Sequence, residues 1–238
     1  MLELKNIKIN AGNVELLKAP ISVKEVSEQT IVFFGRNGAG KTTLLKTIAG
    51  HLKNISGDVD AFNKALMTSP ISEWAKICTY IGSNENIGQS ISTYEFLLSG
   101  RLGFTSGLGL FRKRDYEITE QWIEKLKLQS LIKKDYFFLS DGEKQLVTIA
   151  RAFIYETPLI LLDEPTSNLD IPNKKIITEL LHSLSKTENK LIIYTTHDYF
   201  ISKDLCDRIW FINNQKEFIS GNYSDLQLSI EKDFGIGQ

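Results

Sequence analysis

The stretch TIVFFGRNGAGKTTLLKTIAG, residues 30–50, changes character twice along its length. Thr30–Phe34 is a short run of mostly apolar residues, which is typical of a buried strand. Glycines interrupt the run, and from Lys41 to about Leu52 the apolar residues recur at the spacing of one helical face. The segment between them, Gly35–Thr42, fits the pattern G-x-x-x-x-G-K-[ST] after a strand and before a helix. The sequence therefore predicts a phosphate-binding loop.

This loop has the chemistry that a bound triphosphate requires. Its glycines let the backbone curl around a phosphate without a Cβ in the way, so that N–H groups and the helix N-terminus point at the anion. Lys41 adds a positive charge for the β- and γ-phosphates, and the Thr42 hydroxyl can ligate Mg²⁺. The predicted nucleotide-binding residues of the loop are Gly35, Asn37, Gly38, Ala39, Gly40, Lys41, Thr42 and Thr43.

A second apolar strand ends in two acids. In LILLDEPTSNLD, residues 159–170, Asp163 and Glu164 directly follow the apolar run, where both side chains can face the ligand crevice of an α/β sheet. Asp163 fits coordination of Mg²⁺, and Glu164 fits the base that orients or deprotonates an attacking water. Two acids at a strand end can also be ordinary solvated residues, but the phosphate loop in the same chain favours the catalytic interpretation.

The chain has three histidines, and one of them follows a strand. His197 comes directly after LIIYTT, where sheet ends meet a ligand, so it can contact a γ-phosphate or the attacking water. A capping role for His197 is the alternative. His51 and His182 lie at the end and in the middle of predicted helices, where a surface position is the simpler interpretation.

The order of the elements predicts an α/β fold. Residues 2–9 and roughly 21–34 read as strands, and after residue 155 strands and helices alternate, which indicates a parallel sheet with crossover helices. Between about residues 90 and 155 the pattern is helical, with helices predicted in DYEITEQWIEKLKL and SLIKK and from about Asp141 to Tyr155. We interpret this region as an inserted helical subdomain of one domain, residues 1–238.

The composition excludes several classes of protein. The chain is 42% hydrophobic and 24% charged with a net charge of −1, so it has no overall field that would attract nucleic acid, and no nucleic-acid partner is expected. Cys78 and Cys206 show no ligand spacing and indicate a reduced setting. No apolar run approaches the ~20 residues that span a bilayer, so membrane association is expected to come through a partner.

The loop RLGFTSGLGLFRKRD, residues 101–115, has three glycines and three consecutive basic residues. This composition predicts a mobile surface loop. A solvated linker between helices and a contact surface for a partner are both open at this point.

Five motifs in this order resemble the ATP-binding subunits of ABC transporters, over about Leu2 to Leu228. They are GRNGAGKTT (Walker A), LSDGEKQ (signature), LILLDEP (Walker B), SNLD (D-loop) and TTHD (switch histidine). The resemblance implies a RecA-like P-loop NTPase core with an N-terminal antiparallel β-subdomain and an inserted α-helical subdomain. It also implies ATP and Mg²⁺ as ligands.

The resemblance further implies that two copies of the chain sandwich two ATPs head to tail. Ser140 and Gly142 would then contact the γ-phosphate held by the partner chain, with Gln145 nearby, and Asp170 would belong to the loop that links the two sites. His197 becomes a γ-phosphate contact, and the catalytic residues are Glu164, His197 and Lys41, with Thr42 and Asp163 as metal ligands.

Three positions depart from the motifs of this family, in which the signature usually reads LSGGQ. Asp141 replaces the first signature glycine; as a good N-cap it would keep the helix start but add negative charge near a triphosphate. Ser83 stands where the Q-loop glutamine is expected, and Gln89 lies six residues on. Ala11 stands where an aromatic residue stacks on adenine, which predicts weak stacking.

The segment ISTYEFLLSGRLGF, residues 91–104, resembles importers of the iron–siderophore, haem and cobalamin group. The resemblance implies permease subunits as partners, indirectly a substrate-binding protein, and a peripheral location at the cytoplasmic face of the inner membrane. Alternatives are an export or lipoprotein-release ATPase, a soluble ABC protein acting on ribosomes or DNA, and a nucleotide-binding module without turnover.

Overall fold

A computed structural model describes residues 1–11, 14–52, 56–83, 90–105 and 109–235. The strands of these residues are β1 (Leu2–Lys8), β2 (Asn10–Ala11), β3 (Val14–Glu15), β4 (Ile21–Glu25), β5 (Gln29–Gly35), β6 (Ser56–Ala61), β7 (Lys64–Ala65), β8 (Cys78–Ile81), β9 (Leu159–Leu162), β10 (Leu191–Thr195), β11 (Arg208–Ile212) and β12 (Phe218–Gly221). The α-helices are α1 (Lys41–Ile48), α2 (Ile71–Trp74), α3 (Thr93–Leu98), α4 (Lys113–Lys125), α5 (Asp141–Ile154), α6 (Ile171–Thr187), α7 (Tyr199–Ser202) and α8 (Tyr223–Phe234). Short 3₁₀ turns cover Ser99–Phe104 and Tyr136–Phe138.

The main sheet of the described residues has the strand order β12-β11-β5-β10-β9-β8. All of its pairs are parallel except β11 with β12, which form an antiparallel hairpin. In a parallel sheet the carboxyl ends of the strands share one edge. The ends of β5, β9 and β10 therefore bring the phosphate loop, the two acids and the switch histidine to the same edge.

Strand β5 is buried on both faces and separates two hydrophobic cores. Because successive side chains of a strand alternate, Val32 and Phe34 enter one core while Ile31 and Phe33 enter the other. The core around Phe33 also contains residues of a second, antiparallel sheet with the order β4-β1-β6-β7. The core around Phe34 contains residues of α3, α4 and α5. The predicted α/β fold, with its β-subdomain and helical insertion, is confirmed.

Helix α1 is shorter than the sequence pattern predicts. It ends at Ile48, because Gly50 adopts a left-handed conformation (φ 75°) and the N–H groups of Gly50 and His51 donate to the carbonyls of Thr47 and Lys46. This pair of bonds is a Schellman ending, which satisfies the last carbonyls of the helix. The prediction that Leu52 belongs to the buried helical face is wrong, and its side chain is 36% exposed.

One further local prediction is wrong. SLIKK, residues 130–134, forms turns instead of a helix, with Leu131 N–H donating to the carbonyl of Leu128 and Lys134 N–H to that of Leu131. At the two ends of the loop predicted at 101–115, Arg101 and Asp115 are buried and form an ion pair (Nε–Oδ1 2.9 Å). Residues 106–108 lie outside the described residues, and the mobility of the loop stays a prediction. Helix α4 begins within its basic run, at Lys113.

Helix α8 closes the chain against the main sheet, and the sequence patterns had not indicated it. It buries Leu226 and Ile230 in the core around Phe34. Near its end, the Asp233 backbone carbonyl accepts a bond from the Arg36 guanidinium (3.0 Å) in the phosphate loop. In the described part of the chain, every helix is too short or too polar to cross a bilayer.

Candidate active site

The phosphate loop joins the end of β5 to the start of α1. Gly38 and Gly40 have positive φ angles of 77° and 107°, a region that favours glycine. A Cβ on Gly40 would lie 2.6 Å from Ile9 Cδ1, so a larger residue would have to displace that side chain and would be strained at this φ angle. Residues 36–38 form the exposed rim of the loop, and Gly40 is the N-cap of α1. The loop therefore has the form that the sequence predicted.

Lys41 lies inside the loop instead of extending into solvent. Its Nζ donates to the backbone carbonyls of Gly35 (2.7 Å) and Arg36 (3.1 Å), and the residue is 6% exposed. Burial lowers the pKa of Lys41 from its ordinary value, while the negative charges of Glu164 and Asp163 oppose that shift. The loop thus holds an ammonium group at its centre, close to where an anion would bind.

Asp163 is the best-connected residue of the site. Its Oδ2 accepts a hydrogen bond from the Thr42 hydroxyl (2.7 Å) and its Oδ1 accepts one from the Thr195 hydroxyl (2.7 Å). Tyr80 approaches the same carboxylate at 3.4 Å, and burial raises the pKa of this tyrosine. A carboxylate and a hydroxyl side by side are the hard oxygen ligands that suit Mg²⁺.

Glu164 and His197 contact each other through Oε1 and Nε2. Both side chains are partly exposed, 28% and 39%, so water can reach them. The backbone of Glu164 is in the left-handed region (φ 52°), and its N–H donates to the hydroxyl of Thr195 (2.8 Å). The two residues that the sequence placed at different strand ends therefore form one pair.

Thr195 holds the two acids together, and the sequence reasoning missed it. It is fully buried at the end of β10, donating to Asp163 and accepting from Glu164. Its position carried a signal, because β10 pairs in parallel with β9 and the last pair is Tyr194 with Leu162. The next residues along the chain are Thr195 and Asp163. Tyr80 was also missed, although it lies near the end of the adjacent strand β8.

The signature segment forms the start of α5, and its cap differs from the prediction. Ser140, not Asp141, is the N-cap: Glu143 N–H donates to the Ser140 hydroxyl (3.3 Å), and Ser140 N–H donates to Glu143 Oε2 (2.8 Å). Asp141 is the first helical residue and is exposed. The helix start therefore does not depend on the Asp141 side chain, because the capping box of Ser140 and Glu143 satisfies it.

Gly142, in α5, lies close to the first turn of α6, and Asp170 is located at the start of that helix. A Cβ on Gly142 would be 3.5 Å from Asn173 in the first turn of α6, and Asp170 is the N-cap of α6, accepting from Asn173 N–H (3.1 Å). Ser140 is exposed at the helix start. The roles predicted for Ser140, Gly142 and Asp170 involve a second chain, and they stay predictions.

A cavity of about 550 Å³ lies between the acids and the first turn of α5. Asp163 and Glu164 line one side, and Asp141 and Gln145 line another. Ser83, which stands in the expected glutamine position, also lines it. Gln89, six residues further along the chain, lies outside the described residues. This cavity connects the strand ends of the main sheet to the signature helix within one chain.

The sequence and fold match known proteins over almost the whole chain. A family model described as "ABC transporter" matches residues 19–167. An uncharacterized ABC transporter ATP-binding protein of Methanocaldococcus jannaschii is 31% identical over 221 residues, covering 93% of this chain and 76% of the relative. The petrobactin import ATP-binding protein FpuD of Bacillus anthracis is 25% identical, with 94% and 82% covered.

A solved structure has the same fold. It is an inward-facing conformation assigned to a metal-chelate type ABC transporter, with a TM-score of 0.86, 25% identity, and 98% of this chain and 88% of that chain covered. The family match spans the phosphate loop, the signature helix and both acids. The chain therefore belongs to the ABC transporter family, and it is an ATP-binding subunit with ATPase activity.

Proposed function

We propose that this ATPase powers an importer of an iron complex, such as a siderophore or haem, or of cobalamin. The ATPase activity is supported by two neighbouring arrangements in the site. Asp163 accepts hydrogen bonds from Thr42 and Thr195, and Glu164 contacts His197. The import part is supported by the relative that imports petrobactin and by the metal-chelate type transporter of similar fold. Cargo does not enter the site described above.

The residues fit a nucleotide with Mg²⁺. The glycine-rich loop and Lys41 would hold the phosphates, and Thr42 and Asp163 would hold Mg²⁺, which neutralises charge on the phosphate oxygens when bound. Thr195 fixes the orientation of Asp163. Glu164 would orient the attacking water and accept its proton, and His197, which contacts Glu164, would also contact the γ-phosphate.

We further propose that two copies form a head-to-tail dimer around two ATPs. Ser140 and Gly142 of one copy would approach the γ-phosphate on the partner, because the free N–H groups of a helix N-terminus attract anions. Asp170 lies at the start of α6, where it would link the two sites. ATP binding would close this dimer, and hydrolysis would reopen it.

The motion would pass through a helical subdomain, about residues 90–155, to permease subunits in the membrane. The chain would then sit at the cytoplasmic face of the inner membrane, held there by the permease, with a substrate-binding protein acting on the other side. The described ends of the segment from Arg101 to Asp115 are a candidate contact for the permease, because Arg101 pairs with Asp115 and also donates a hydrogen bond to the Ile154 carbonyl at the end of α5 (2.9 Å).

The substitution Glu164→Gln tests the assigned base. It keeps the size and one hydrogen-bonding oxygen but cannot accept a proton, so the kcat for ATP hydrolysis should fall by about 100-fold or more while ATP still binds. Glu179→Gln is the matched control, since Glu179 is on the surface of α6 and pairs only weakly with Lys175 (3.8 Å). Hydrolysis by Glu164→Gln at the wild-type rate would show that the base is assigned wrongly.

Import is tested by reconstitution. The purified chain, reconstituted in lipid vesicles with its permease subunits and with the substrate-binding protein on the opposite side, should accumulate an iron–siderophore complex or haem on the same side as the ATPase, and only with ATP. Movement of the chelate in the opposite direction would favour an exporter. Wild-type ATPase activity with no movement of any iron chelate or cobalamin would contradict the proposed cargo and leave the ATPase assignment standing.

A further inference from the structure

A partly exposed ion pair joins the start of α6 to the loop that carries the switch histidine. Lys174 Nζ lies 2.9 Å from Asp198 Oδ2, and the side chains are 17% and 32% exposed. Lys174 is the first residue of α6 with intermediate exposure, whereas its neighbour Lys175 is 68% exposed and makes only a loose contact with Glu179. The two lysines therefore have the same charge but different surroundings.

Asp198 uses its side chain for this ion pair and not for capping a helix. It is the N-cap of α7, a position where an aspartate side chain usually accepts a bond from the helix backbone. Here its side chain makes no such bond and turns instead to Lys174. Its own N–H donates to the Thr196 hydroxyl (3.0 Å), so backbone and side chain of Asp198 are both held.

The residue before Asp198 is His197, which contacts Glu164. Fixing Asp198 restricts the short segment between β10 and α7, and so restricts the position of the His197 ring. On the other side, the Lys174 N–H donates to the carbonyl of Asp170 (2.9 Å), the N-cap of α6. A displacement of the segment around Asp170 would therefore be transmitted to His197 through one ion pair.

We propose that Lys174 is a positioning residue for the His197–Glu164 pair and acts through Asp198. The inference rests on the proposed ATPase mechanism and adds the side chain that connects the start of α6 to the switch histidine. Lys174 itself does not touch the reacting atoms. Its removal is expected to weaken turnover and leave ATP binding in the phosphate loop intact.

The test compares Lys174→Gln with Lys175→Gln in the full chain. Lys174→Gln should lower kcat about two- to fivefold with little change in the KM for ATP, the range expected for losing a partly exposed ion pair. Lys175→Gln should behave as wild type. Lys174→Arg, which keeps the charge, should recover most of the rate, and Asp198→Asn should reproduce the defect without adding to it in the double variant.

A second readout does not depend on turnover. Diethyl pyrocarbonate modifies exposed imidazoles, and mass spectrometry measures each histidine separately, with His51 and His182 as internal references. In Lys174→Gln the rate at His197 should rise about two- to fivefold, because the ring is no longer held against Glu164. The references should not change, and far-UV circular dichroism checks that the variant is folded.

The proposal is overturned if Lys174→Gln and Lys175→Gln give the same kcat and the same modification rate at His197. A loss of stability in Lys174→Gln without either change would show that the pair is only structural. If wild type and Glu164→Gln hydrolyse ATP equally, the assigned base fails, and the modification rates still decide the role of Lys174.

Discussion

Thr195→Val removes one hydroxyl and almost no volume from the centre of the site. The hydroxyl donates to the Asp163 carboxylate (2.7 Å) and accepts from Glu164 N–H (2.8 Å), and the residue is fully buried. A bond to a charged group contributes about 1.5–3 kcal/mol and an ordinary one about 1 kcal/mol. We therefore expect the free energy of unfolding to fall by about 3 kcal/mol.

The same substitution should reduce activity, because both acids lose the group that orients them. Partners that orient metal ligands typically contribute about 10- to 100-fold to metal affinity or activity, so kcat should fall at least about tenfold. The Mg²⁺ concentration needed for half-maximal rate should also rise. Stability is measured by urea unfolding and activity by steady-state phosphate release.

Thr119→Val is the matched control. Thr119 is equally buried, but its hydroxyl makes a single bond to the Asp115 carbonyl one helical turn away (2.8 Å), so the cost should be about 1 kcal/mol or less with unchanged activity. If Thr195→Val is as stable and as active as Thr119→Val, the network around Asp163 does not support the site, and the reasoning is refuted.

Three other substitutions test separate features. Arg101→Met should lower the free energy of unfolding by about 3–5 kcal/mol, because it leaves the Asp115 charge buried without its partner; Lys113→Met, at a 92% exposed side chain, should change it by less than about 0.5 kcal/mol, and similar urea midpoints would contradict this. Burial raises the pKa of Glu25 above its ordinary value of 4.5, so ionising it costs stability as pH rises through the folded-state pKa. The free energy of unfolding of Glu25→Gln, relative to that of wild type, should therefore increase as the pH rises through that range and should stay constant below it. A stability difference independent of pH would count against the assigned pKa shift. Asp141→Gly should keep α5 folded but tighten ATP-driven dimerisation, seen by analytical ultracentrifugation, because one negative charge leaves the signature; equal dimerisation would mean that the acid faces away from the nucleotide.

The central residues of the site could be predicted from the sequence, because each motif has a characteristic composition and the motifs follow one another in a characteristic order along the chain. A glycine-rich loop between a strand and a helix has few other uses, and parallel strands bring their ends to one edge. This is why Lys41, Asp163, Glu164 and His197 were predicted and lie near one another.

The rest depended on contacts between residues far apart in the chain. Nothing in the isolated pattern of YTTHD tells which threonine faces an acid, since that follows from the strand register. The ion pair of Arg101 and Asp115 also spans a loop whose glycines and basic residues had favoured a mobile segment. Helix α1, by contrast, was extended too far although Gly50 was visible as a stop signal.

The position of strand β5 in the fold limits which insertions and deletions the chain can tolerate. Its alternating side chains supply both cores, and its last residue, Gly35, opens the phosphate loop. Inserting or deleting one residue within Gln29–Gly35 would turn each later side chain to the opposite face and shift the loop at the same time. Folding and nucleotide binding would then be lost together, so length variation among descendants of this chain should avoid β5 and collect in the surface connections.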